Sequence, residues 1–336
     1  MLRYLTLIFY GVFGIGCIYA FFLIFCFSTF KIPSDSMEPQ LQTGDQVLVN
    51  KWIAGPRLFN IFASMKGKRV DIYRVPGVGQ IKRNDILVFN YPHPYSWERI
   101  EMHIMQYYIK RCLGLPGDSI RIEQGFYRNN HTKEPLGNVE SQANLSRQKA
   151  DRMPDGVYRC FPFDSTFNWN VHDFGPLYIP RKGDRITVNQ TNYKLYKQMI
   201  EWESKDSLSW KDSKVYIGDK QVRQYQFQSN YYFVAGDKTE NSRDSRYLGL
   251  IPEEFIVGVA WKVWKSVDPY TGEYRKGRFW KNIRCRDLAI GGAFKHAYHS
   301  CRRAGFLCPS PVFWIFVADC SLRCGCLLFG SFDHHS

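Results

Sequence analysis

The sequence predicts a mostly β protein behind one N-terminal transmembrane helix, on three observations. From Lys31 to about Lys281, short apolar or alternating runs are separated by Gly, Pro, Asn and Asp, which is the pattern of strands and turns. Aromatic residues make up 16% of the chain, a composition suited to pleated surfaces. Between Arg3 and Lys31 there is no charged residue. That apolar stretch is long enough to cross a hydrocarbon core of roughly 30 Å at about 1.5 Å per residue.

Residues 1–30 are therefore expected to form an uncleaved anchor, because Phe25, Phe27 and Phe30 run straight into Lys31 with no small-residue cleavage site. Arg3 favours a cytoplasmic amino terminus, which places the rest of the chain on the extracytoplasmic side of the inner membrane as a single-pass protein. Residues 31–284 form the expected β domain, with strands at 46–50, 85–90, 107–112, 119–123, 185–188, 214–217, 231–235 and 256–264. Gly44-Asp45, Gly117-Asp118 and Gly183-Asp184 each mark a strand start, since glycine adopts positive φ and aspartate bonds back to nearby backbone. Polar insertions near 52–80, 124–170 and 191–211 decorate that core, and the last is the good helical candidate. Residues 285–336 carry six of the ten cysteines without the spacing of a zinc ribbon, and fit an unstructured or non-native tail.

The net charge of +14 comes from scattered Lys and Arg, with no basic helix or arginine-rich run, which argues against nucleic acid. A domain held against anionic membrane lipid accounts for the same excess, as does a solvated basic surface.

Chemistry is expected at Pro33-Ser34-Asp35-Ser36-Met37-Glu38-Pro39 and at Lys110. A serine hydroxyl needs a base to become a nucleophile, and no histidine lies in a setting such as Gly-x-Ser-x-Gly. A lysine can serve if burial lowers its pKa of about 10.4 by roughly 2 to 3 units. Strand alternation puts Tyr108 and Cys112 on the face of Lys110, with no carboxylate at those positions, and turns Arg111 the other way. The competing reading is an edge-strand lysine that discourages aggregation. Ser36 would sit on a turn bounded by prolines, with its own N–H and the Ser34 hydroxyl available to a developing oxyanion. Asp35 is expected to face solvent. The loop Gly236 to Arg246 supplies Asp244 and Arg246 as a stiffening pair, and Ser242 or Ser245 as a hydroxyl that orients the lysine amine.

These segments, in this order, resemble the boxes of type I signal peptidases, the serine–lysine peptidase family S26. The likeness rests on Pro-Ser-x-Ser-Met-x-Pro (33–39), Arg-x-Asp-Ile-x-Val-Phe (83–89), Tyr-x-Lys-Arg-x-x-Gly-x-Pro-Gly-Asp (108–118) and Ser-x-Asp-Ser-Arg-x-x-Gly (242–249). It covers about residues 1 to 284. The resemblance implies a signal-peptidase-like fold of coiled antiparallel β-sheet, no metal or organic cofactor, and cleavage after small side chains. It also implies Ser36 as nucleophile, Lys110 as general base, Ser34 as oxyanion donor, Ser242 as the hydroxyl on the lysine, Asp244 with Arg246 in support, and Met37 in the substrate pocket. Gln40, Lys238 and Leu248 depart from the threonine, asparagine and tryptophan common at those places.

The expected function is a membrane-bound endopeptidase that removes signal peptides from exported preproteins through an acyl-enzyme. The alternatives are a pilus-type serine–lysine processing peptidase and a catalytically silent, membrane-tethered assembly protein.

Overall fold

The structure, a computed structural model, describes residues 2–60, 62–63 and 72–283. It divides into Met1–Arg284 and Cys285–Ser336, so the cysteine-rich end lies outside the described residues.

The mostly β expectation holds for the first unit. Its main sheet has eight strands in the order Phe27–Lys31, Asp45–Asn50, Ile256–Ser266, Ile86–Asn90, Tyr107–Gly114, Tyr231–Ala235 and Ile251–Pro252, with Lys281–Asn282 added to Ile256–Ser266. Every pairing is antiparallel. Ile256–Ser266 pairs first with Ile86–Asn90 and then with Asp45–Asn50, and register shifts along it bend the strand. Gly258 lies at one such shift, where a Cβ would stand 2.5 Å from the Asn50 carbonyl oxygen, so only glycine allows the strands to approach.

Both faces of this sheet are covered, which is why all five residues of Ile86–Asn90 are buried. Ile86 and Val88 pack with Val47, Val49, Val257 and Val263 on one side. Leu87 and Phe89 pack into the larger cluster with Cys112, Leu113 and Phe233 on the other. The predicted turn chemistry is present at all three places. Gly44, Gly117 and Gly183 have φ of 94°, 91° and 92°. The following Asp45, Asp118 and Asp184 carboxylates each accept a backbone N–H at 2.8 Å, from Gln42, Leu115 and Arg181.

Two small sheets run into the insertions through Phe126–Asn129 and Leu208–Lys211. Ser119–Glu123, Phe126–Asn129 and Phe174–Tyr178 form one small sheet, and Leu208–Lys211, Lys214–Ile217 and Lys220–Val222 another. Helix Gln190–Ser204 begins at Asn189, whose side chain accepts the Asn192 N–H, and it buries Leu195, Tyr196, Met199 and Ile200. A second helix, Val139–Ser146, is capped by Asn138.

The transmembrane anchor expected over residues 1–30 is corrected by the structure. The apolar stretch is divided among helix Leu2–Phe21, a π turn at Phe22–Cys26 and strand Phe27–Lys31. That strand pairs residue by residue with Asp45–Asn50, so its backbone belongs to the main sheet. Among the described residues no helix is long and apolar enough to cross a membrane. The membrane-bound architecture, the single-pass inner-membrane placement and the membrane-tethered alternative all rested on that span, which the described residues do not supply.

Candidate active site

The turn after strand Phe27–Lys31, the middle of strand Tyr107–Gly114 and the loop after strand Tyr231–Ala235 meet on one spot. Ser36 sits on the turn, which is closed by hydrogen bonds from the Glu38 N–H to the Asp35 carbonyl and from the Leu41 N–H to the Met37 carbonyl, both 2.9 Å. Its side chain is almost buried, at 8% exposure. Lys110, paired across the sheet with Leu87, is 4% exposed. Its Nζ lies 2.5 Å from Ser36 Oγ, although 74 positions separate the two residues. The Tyr108 ring centroid is 5.9 Å from that nitrogen.

Burial pulls the Lys110 pKa down to about 8 against an ordinary 10.5. The carboxylates of Asp244, Asp237 and Asp35 pull it back up, and the Arg246 guanidinium opposes them. A desolvated amine beside a hydroxyl can act as general base in mildly alkaline water. Ser34, exposed on the same turn, has its Oγ 3.4 Å from Ser36 Oγ.

The loop is tied to the turn by its backbone, with the Lys238 N–H donating to the Ser36 carbonyl at 3.1 Å. Gly236 makes this approach possible, because a Cβ there would stand 2.6 Å from the Ser36 carbonyl oxygen and 2.2 Å from Ser242 Oγ. Ser242 thus lies at the junction, and its buried Oγ has no hydrogen-bond partner among the described residues. The Ser245 hydroxyl accepts the Val234 N–H at 3.0 Å and so holds the loop to the strand. Asp244 and Arg246 are both essentially buried and joined by two contacts of 2.9 Å. Asp244 also accepts the Gly236 N–H at 3.0 Å, while Arg246 donates to the Thr239 carbonyl at 2.8 Å. The Arg246 charge holds the Asp244 carboxyl below its usual range despite complete burial. Met37 has no exposed surface and packs with Ile32, Leu41 and Val47 in the smaller core cluster.

Three features of the site escaped the sequence reading. Arg111 turns away from Lys110 as expected, but it grips Asp237 through two contacts of 2.6 Å. Ser141, from the insertion near 124–170, accepts the Thr239 N–H at 2.7 Å and donates to Glu240, so that insertion reaches the site. Asp35 does not simply face solvent; it is paired with Lys238 at 2.5 Å. Each was a polar residue whose partner lay far away in sequence, and only the alternation that turned Arg111 outward gave any signal. Among the described residues no group of three or more His, Cys, Asp or Glu side chains is placed to hold a metal ion. A groove of about 710 Å³, lined by His93, Trp97, Phe163, Arg243 and Tyr247 among others, borders Ser242 on the far side of the loop.

This chain is similar to known proteins along most of its length. The signal peptidase I of Buchnera aphidicola subsp. Acyrthosiphon pisum is 30% identical over 270 residues, covering 77% of this chain and 75% of that protein. That of Pseudomonas aeruginosa is 29% identical over 252 residues, covering 72% and 66%. That of Buchnera aphidicola subsp. Schizaphis graminum is 28% identical over 257 residues, covering 75% and 72%. The alignments thus span about two thirds to three quarters of these relatives. The family model described as "Signal peptidase, peptidase S26" matches residues 4–264, and the chain belongs to that peptidase family.

Proposed function

We propose that the protein is a serine endopeptidase that cleaves signal peptides from exported preproteins, with Ser36 as nucleophile and Lys110 as general base. The observation that carries this reading is the 2.5 Å approach of Lys110 Nζ to Ser36 Oγ at a site where both side chains are nearly dry. Family membership and the naming of its relatives as signal peptidase I support the substrate class.

The neutral Lys110 amine accepts the Ser36 hydroxyl proton as Oγ attacks the scissile carbonyl carbon. The negative charge that develops on the carbonyl oxygen is met by the Ser36 N–H and the Ser34 hydroxyl. One such donor is typically worth about 2.7 to 4 kcal/mol in the transition state. The C–N bond then breaks, the leaving amine takes its proton from the Lys110 ammonium, and an ester remains on Ser36. Lys110, neutral again, takes a proton from water as that water attacks the ester. The new carboxylate leaves, and Ser36 recovers its proton. Ser242, with its free Oγ beside the Ser36 carbonyl, is the hydroxyl suited to orienting the lysine lone pair.

The test is incubation of the purified chain with a preprotein carrying an Ala-x-Ala site, read by mass spectrometry. Cleavage at that site should vanish in Ser36→Ala, in Lys110→Ala and in Lys110→Arg, since guanidinium stays protonated. An active Lys110→Arg enzyme would sink the lysine-base mechanism. The parent's cleavage rate should also climb as pH rises through about 8, where Lys110 loses its proton.

A further inference from the structure

Three carboxylates act on Lys110, those of Asp244, Asp237 and Asp35. Each is held by a cation of its own: Asp244 by Arg246, Asp237 by Arg111 and Asp35 by Lys238. The first two pairs are buried, whereas Lys238 and Asp35 keep 31% and 37% of their side-chain surface in water. The exposed pair is the one closest in sequence to the nucleophile, since Asp35 adjoins Ser36. Lys238 reaches this turn twice, through its backbone N–H on the Ser36 carbonyl at 3.1 Å and through its ammonium on Asp35 at 2.5 Å. Glu38 Oε2 lies 3.6 Å from the same ammonium, and Asn241 Nδ2 donates to Asp35 at 3.1 Å.

We propose that Lys238 is a positioning residue of this enzyme, which clamps the Ser36 turn and offsets the Asp35 carboxylate, so that this anion, like Asp244 and Asp237, faces Lys110 already paired with a cation. The proposal rests on the reading of Ser36 and Lys110 given above. It accounts for the joint presence of an acidic residue between the two serines and a lysine that reaches it from the loop. The groups that face Lys110 are Asp244 and Arg246 from the loop, Asp237 with its Arg111, Asp35 from the turn, and the Tyr108 ring from its own strand. Among the carboxylates, Asp35 alone has an exposed partner, so its charge is the one that substitution or salt uncovers without dismantling a buried pair.

Uncovering Asp35 favours the charged form of Lys110, so the acid limb of the cleavage profile must move to higher pH. An exposed charge acting on a neighbour moves it by a few tenths of a pH unit, up to about 0.7. The experiment compares kcat/KM against pH for the parent, Lys238→Met, Lys238→Arg, Asp35→Asn with Lys238→Met, and Ser36→Ala. It is run at about 20 mM and about 0.5 M salt, which bracket weak and strong screening. Lys238→Met should shift the limb upward at low salt and by less at high salt. Lys238→Arg should hold the parent profile, and the double variant should return to it. A Lys238→Met profile that superimposes on the parent overturns the proposal, as does a shift that survives in the double variant, because that shift would come from turn packing. Cleavage by Ser36→Ala overturns the serine–lysine reading instead, and the two failures are distinguishable.

Discussion

The buried pair Asp244–Arg246 and the exposed pair Asp35–Lys238 flank the same lysine and do different work. Asp244 and Arg246 are almost fully out of water and satisfy backbone groups on Gly236 and Thr239, so they fix where the loop runs. Asp35 and Lys238 stand at the rim, where water and salt weaken them, and what they adjust is the electrostatic setting of Lys110. Burial makes an ion pair structural because either partner alone would be an uncompensated buried charge. Exposure makes a pair adjustable because solvent can replace either partner.

Breaking the buried pair should have the largest effect on stability. Arg246→Ala leaves the Asp244 carboxylate buried against backbone N–H groups without its cation, at a cost of about 3 to 5 kcal/mol. We expect a fall in the denaturant midpoint of corresponding size and loss of cleavage, both visible in one urea titration followed by an activity assay. A variant of parental stability would mean that the loop is held by its backbone bonds alone.

How much of this was legible in the sequence follows from the range of each interaction. The Gly-Asp turns were legible because their hydrogen bonds close over three residues, as at Asp45 and Gln42. The approach of Ser36 and Lys110, 2.5 Å apart, was foreshadowed because a serine without a suitable histidine directs attention to a lysine, and the ordered motifs offered one. Arg111–Asp237 and Ser141–Thr239 were not, since each joins residues about a hundred or more positions apart and neither partner is unusual in its local setting. The anchor was misread for a related reason. Residues 27–30 carry no charge and read as a continuation of the uncharged stretch before them, and only the pairing of Phe27–Lys31 with Asp45–Asn50 makes them a strand.

Lys110 itself offers the next effect in size. Its folded pKa of about 8 lies below the ordinary 10.5, so between those values the unfolded chain holds the extra proton and stability rises with pH. Below about pH 8 the folded state carries a buried ammonium and bears the full cost. Lys110→Met should therefore stabilise the protein at pH 7 by roughly 1 to 3 kcal/mol while abolishing cleavage. The gain should fade as pH rises from 8 towards 10.5, which thermal unfolding at a series of pH values would reveal. A gain that does not depend on pH would assign the effect to packing.

Ser242 gives the smallest change in stability and a sharper view of the two pairs. Its Oγ bonds to no group among the described residues, so Ser242→Ala forfeits no hydrogen bond there and should leave unfolding stability within about 0.5 kcal/mol of the parent. Its place beside Gly236 and the Ser36 carbonyl is the basis for proposing that it holds the neutral lysine amine during proton transfer. One hydrogen bond of about 1.4 kcal/mol made in the transition state corresponds to a tenfold loss of kcat. We therefore expect kcat to fall about tenfold with KM unchanged, and Ser242→Thr to recover part of the loss. Parental kcat in Ser242→Ala would leave the orientation of Lys110 to its packing and to the charges of Asp244 and Asp237, with no hydroxyl required.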